Sequence, residues 1–191
     1  MRPMPDVFIS WMERAIDLAA TPSPPVRCDE YRAIVNGIAA DWSDDAALWK
    51  GVPRVIESVL APRGWAWNGI YARQTGDVLQ LVAAAGPLVC GTLERTGGPG
   101  TSGMCWDALL LNHTLVTRDV KRWPGYVSCD GESGLATQAG LVCPLRDASG
   151  QPIAVWDLDC TQDLAPEDPA FCDRLFATLC ALRPPSLATF S

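Results

Sequence analysis

Gly140-Leu141-Val142-Cys143-Pro144-Leu145-Arg146, then the polar turn Asp147-Ala148-Ser149-Gly150, then Ile153-Ala154-Val155-Trp156-Asp157-Leu158-Asp159 read together as a β-hairpin. Both arms are short apolar runs, and the residues between them favour a turn. In the second arm, strand alternation sets Ala154, Trp156 and Leu158 on one face and Ile153, Val155, Asp157 and Asp159 on the other. Two carboxylates about 6–7 Å apart along one strand face are costly to bury without cations or protons. That face therefore meets a ligand, a basic group or water.

Working outward from this hairpin, residues 65–73 and 78–84 form a second one around Gln74-Thr75-Gly76-Asp77. A third strand is predicted over 88–93, a short helix over 105–111 and a short strand over 114–117. The glycine-rich loop 96–103 lacks the Gly-Lys-Ser/Thr ending of a phosphate-cradling loop. Residues 119–138 make a long irregular segment, a feature that compact domains keep for function. A helix over 168–182 ends the domain. Ahead of the sheet, residues 30–40 are helical, and another helix runs from Asp44 to about Leu60. Ser43 offers its N-cap, and Pro53 marks a kink or a break. Residues 8–20 form an amphipathic helix that ends at the stiff linker Thr21-Pro22-Ser23-Pro24-Pro25. The fold class is α+β, with a helical arm at 1–28 and one domain at 29–191.

The 191 residues, 48% hydrophobic and 19% charged, suit a single globular domain rather than a disordered or fibrous chain. A net charge of −7 offers no pull toward nucleic acid or anionic lipid. The N-terminal apolar stretch is too short for a signal-peptide core, and no apolar run approaches the roughly 20 residues that span a bilayer. A soluble, cytoplasmic protein with reduced thiols is expected. His113 is the single histidine, which removes multi-histidine metal sites, and the eight cysteines show no CxxC spacing. No metal site is expected. Each cysteine then either packs as a small hydrophobe or does thiol chemistry, and Cys143, Cys160, Cys172 and Cys180 fall in strands or a helix and are assigned to packing.

Cys129 lies in Pro124-Gly125-Tyr126-Val127-Ser128-Cys129-Asp130, a polar, glycine-punctuated loop. It is either an inert loop cysteine or a nucleophile, in which case Arg118, Lys121 and Arg122 are the nearest cations that could favour its thiolate. Together with Trp67-Asn68-Gly69-Ile70-Tyr71, Gly86-Pro87-Leu88-Val89-Cys90, Gly103-Met104-Cys105 and Trp156-Asp157-Leu158-Asp159, this segment resembles the GAF-domain free methionine-(R)-sulfoxide reductases. The resemblance spans residues 65–160 and includes the 24-residue interval from Cys105 to Cys129.

The resemblance implies a GAF-like antiparallel sheet flanked by helices, with a small-molecule pocket under the cysteine-bearing loops. It makes Cys129 the attacking thiol and Cys90 or Cys105 the resolving one. Trp67 and Tyr71 would wall the substrate's methyl group. Asp157 and Asp159 would hold its ammonium and help protonate the sulfoxide oxygen, with Asp130, Glu132 and Gln138 as further substrate contacts. Oxygen transfer would leave a sulfenic acid that condenses to a disulfide, reset by an external thioredoxin-like dithiol with no bound cofactor. A homodimer is compatible with this arrangement.

Three features differ from the family pattern. The 15-residue interval from Cys90 to Cys105 is longer, which implies a larger lid. The loop after Cys129 is also extended, and the family's glutamate has no counterpart nearer than Glu132 or Gln138. Trp106 replaces a glycine, so its indole either refills space or rejects the usual ligand. The same site could serve another small amino-acid-like substrate in a biosynthetic enzyme, or bind a metabolite in a non-catalytic sensor.

Overall fold

A computed structural model describes residues Ile34, Asn36, Gly37, Trp42, 44–87, 89–131 and 134–191. The expected arm at 1–28, its helix and its proline linker lie outside the described residues, as do Ser43 and Glu132. Helix α1 spans Asp45–Leu60, and strands β1 (Trp65–Arg73), β2 (Val78–Ala85) and β3 (Thr92–Glu94) follow. Next come helix α2 (Gly103–Leu111), strand β4 (Leu115–Thr117), strands β5 (Ala139–Arg146) and β6 (Pro152–Cys160), and helix α3 (Asp168–Leu182). All six strands pair antiparallel in the order β3-β2-β1-β6-β5-β4.

Alternation in the two central strands sorts the apolar side chains into two clusters, one on each face of the sheet. Ile70 and Ala72 of β1 and Ala154, Trp156 and Leu158 of β6 join α1 and α3 in the larger cluster. Trp67 and Tyr71 of β1 and Val155 of β6 face the other way, toward Cys105, Trp106 and Leu109 of α2. Ile153 departs from the alternation read from the sequence, because it packs in the larger cluster. The β5–β6 register slips between Leu145 and Arg146, where Ala154 pairs with Leu145 and Pro152 with Arg146. The extra residue is Ile153, and such a bulge turns its side chain.

Other boundaries shift for local reasons. Asp44, not Ser43, caps α1, its carboxylate accepting from the Ala47 N–H at 2.8 Å. Pro53 neither breaks nor ends α1. The helix is held against the sheet there by Asn68, whose Nδ2 donates to the Pro53 carbonyl at 3.1 Å. The predicted strand at 88–93 shrinks to Thr92–Glu94. Val89 and Cys90 are drawn off the sheet edge toward α2, where the Tyr71 hydroxyl donates to the Cys90 carbonyl at 2.7 Å. Among the described residues, no helix is long and apolar enough to cross a membrane.

Candidate active site

β6 presents Asp157 and Asp159 on the α2 side of the sheet, and β1 presents Trp67 and Tyr71 beside them, as the alternation requires. A side chain at Gly69 would meet the Trp67 ring at 2.5 Å and the Ala83 carbonyl at 3.0 Å. Glycine is needed there so that the indole can lie across the strand. The Trp67 and Tyr71 ring centroids are 6.1 Å apart, tilted by 44°. The loops that carry Ser102 and Cys129, together with Val89 and the start of α2, close the space above these rings. They contribute Val89, Ser102, Gly103, Met104, Cys105, Tyr126, Val127, Cys129 and Asp130 to one cavity shared with Trp67, Tyr71, Asp157 and Asp159.

Cys129 is joined to Cys90 by a disulfide, with Cα atoms 5.2 Å apart. Cys105 is buried and unbonded, and its thiol donates to Asp157 Oδ2 at 3.1 Å. Burial, then the charge of Asp157 and that hydrogen bond, push the Cys105 thiol well above the usual range. It stays protonated. Asp157 and Asp159 both line the cavity. Burial raises Asp157 to about 6, against the lowering effect of the Cys105 and Leu158 hydrogen bonds. Asp159 is raised well above the ordinary range, first by burial and then by the charges of Asp157 and Asp130. Burial thus shifts both carboxyls toward their protonated forms, and as a close pair they titrate together.

The remaining sequence candidates divide. Asp130 lines the cavity and accepts from the Thr137 hydroxyl at 2.7 Å and from its backbone N–H at 3.3 Å. Gln138 does not reach the cavity. It is exposed at the start of β5, where its backbone N–H donates to Cys160 and its carbonyl accepts from Val120. Thr137, one residue earlier and buried, is the cavity residue that the sequence reading missed. Tyr126 and Met104 were missed too, although both lie within segments quoted for the resemblance. Trp106 does not line the cavity and is buried in the cluster on the α2 side of the sheet. Its indole donates to the Leu93 carbonyl at 3.1 Å and lies under the Arg95 guanidinium, 5.5 Å from the ring centroid. None of Arg118, Lys121 and Arg122 lines the cavity, and Arg118 pairs with Asp163. Cys143, Cys160 and Cys172 are buried and unbonded, as packing cysteines should be, and Cys180 is half-buried.

No family model matches the chain. The curated free methionine-R-sulfoxide reductase of Saccharomyces cerevisiae is 28% identical over 96 residues, covering 49% of this chain and 48% of that protein. GAF domain-containing protein A of Dictyostelium discoideum is 31% identical over 93 residues, covering 49% and 52%. The matches thus span about half the length of these curated relatives. Among solved structures, the free methionine-R-sulfoxide reductase from Neisseria meningitidis in complex with its substrate is 26% identical. It covers 81% of this chain and 87% of its own, with a TM-score of 0.66. The chain thus has a GAF-like fold, and in sequence it is similar to the free methionine-R-sulfoxide reductases.

Proposed function

We propose that this chain reduces free methionine (R)-sulfoxide, or a similar small amino-acid-like oxide, by thiol chemistry at Cys129. The observation that carries the reading is the Cys90–Cys129 disulfide beside a cavity lined by two acids that burial shifts toward their protonated forms. The Cys129 thiolate attacks the electrophilic sulfur while the Asp157–Asp159 pair donates a proton to the oxygen. The substrate sulfur gains two electrons and leaves as the sulfide, and Cys129 loses two and keeps the oxygen as a sulfenic acid. The Cys90 thiol then attacks the Cys129 sulfur, the S–S bond forms, and the oxygen departs as water. An external dithiol of the thioredoxin class reduces the disulfide and restores both thiols. The acid pair also suits the substrate's ammonium, and Trp67 and Tyr71 suit its methyl group.

Incubation with free methionine (R)-sulfoxide and dithiothreitol tests this reading by chromatography of the products. Methionine should form, and Cys129→Ser should lower its rate at least about 100-fold. No methionine from the parent protein would overturn the substrate assignment, and full activity in the variant would remove the nucleophile. Thermal stabilisation by the sulfoxide without turnover would make the cavity a binding site only.

A further inference from the structure

We propose that Asp107 is a positioning residue, whose carboxylate clasps the two loops above the cavity and so sets how readily Cys129 meets Cys90. Asp107 lies on α2 two residues after Cys105, outside the cavity, and is fully buried. One oxygen accepts from the Gly100 backbone N–H at 2.8 Å, and the other accepts from the Trp123 indole N–H at 2.7 Å. Both donors are neutral. A buried carboxylate with no cation is costly, and burial raises this one to about 6 despite both hydrogen bonds. An apolar side chain would fill the site without that penalty, so the acid is explained by what it ties together.

Each tie holds a whole loop. The Gly100 loop is closed on itself: the Thr96 N–H donates to the Ser102 hydroxyl at 2.9 Å, and the Thr96 hydroxyl donates to the Thr101 carbonyl at 3.0 Å. Trp123 begins the segment that carries Cys129, and the Tyr126 N–H donates back to its carbonyl at 3.1 Å. The two loops also cross at Gly125, which has φ +67°, where an added Cβ would lie 2.6 Å from the Thr101 backbone. Cys90 is fixed independently, by the Tyr71 hydroxyl and by the Leu81 N–H, which donates to the Gly91 carbonyl at 2.8 Å. Asp107 therefore acts on the Cys129 side of the pair alone.

The test is the thiol–disulfide equilibrium of the full chain against mixtures of reduced and oxidised dithiothreitol, read by thiol labelling and mass spectrometry. It involves no sulfoxide, so its outcome is independent of what the cavity binds. Asp107→Asn keeps the shape but turns an N–H toward one of the two donors, and Trp123→Phe keeps a ring and removes one donor. Each should lower the constant for forming Cys90–Cys129 about tenfold, equivalent to about 30 mV. The double variant should fall no further, because the same clasp is already open. A role in folding alone would lower the thermal midpoint and leave the constant alone. Constants within about twofold of the parent in both variants would overturn the proposal, and if Asp107→Asn fails to fold, Trp123→Phe decides by the same criterion.

Discussion

Cys105 and Cys129 line one cavity, yet their surroundings give them opposite character. Cys105 is sealed beneath the loops with its proton held toward Asp157, whereas Cys129 is half-buried at the loop surface. Alkylation rate follows thiolate fraction and access. After reduction, brief treatment of the native protein with iodoacetamide should label Cys90 and Cys129 and leave Cys105 unlabelled, as peptide mass spectrometry will show. Equal labelling of all three would contradict the burial described for Cys105. This difference was not legible in the sequence, where both cysteines follow loop segments that contain glycine. It depends on Asp157, 52 residues away, which only the paired strands bring to Cys105. The pairing of Asp157 with Asp159 was legible, because alternation within one strand is local information. Gln138 and Thr137 show the limit of such reading. A one-residue difference in where β5 begins decides which of the two turns inward.

Among the elements, β1 joins the layers through one side chain. Asn68 is buried, donates to the Pro53 carbonyl of α1 and accepts from the Trp156 indole N–H of β6 at 3.0 Å. Replacing it with alanine leaves the buried Trp156 indole N–H without a partner and removes the second hydrogen bond to the Pro53 carbonyl, and an unpaired buried donor alone costs about 1–3 kcal/mol. Asn68→Ala should therefore lower the unfolding free energy in urea by about 3 kcal/mol, with activity per folded molecule retained. The elements themselves were largely readable: both hairpins and α3 fall where the runs of apolar residues and the turns place them. What failed were decisions made by contacts distant in sequence. Pro53 stays helical under a strand's amide, and the chain at Cys90 leaves the sheet edge for Tyr71 and Cys129.

For the molecule as a whole, buried acids tie stability to pH. Asp107 titrates near 6 in the folded chain and near 3.8 when unfolded, so between these values the folded state binds the extra proton. Its contribution is fully present below about 4 and is lost as pH rises through 6, a change on the order of 3 kcal/mol. Asp157 acts in the same direction, and Asp147, whose carboxyl is lowered by the hydrogen bonds of its turn, acts in the opposite one. The informative quantity is thus a difference. Between pH 4 and 7 the parent should lose more thermal stability than Asp107→Asn, and parallel curves by calorimetry would show that Asp107 does not titrate in this range. The sheet also separates two tasks. The larger cluster, with α1 and α3, stabilises the chain from behind, while the acids, rings and thiols occupy the front. Descendants of such a protein can change their chemistry by drifting on the front side alone, keeping intact the half that lets them fold.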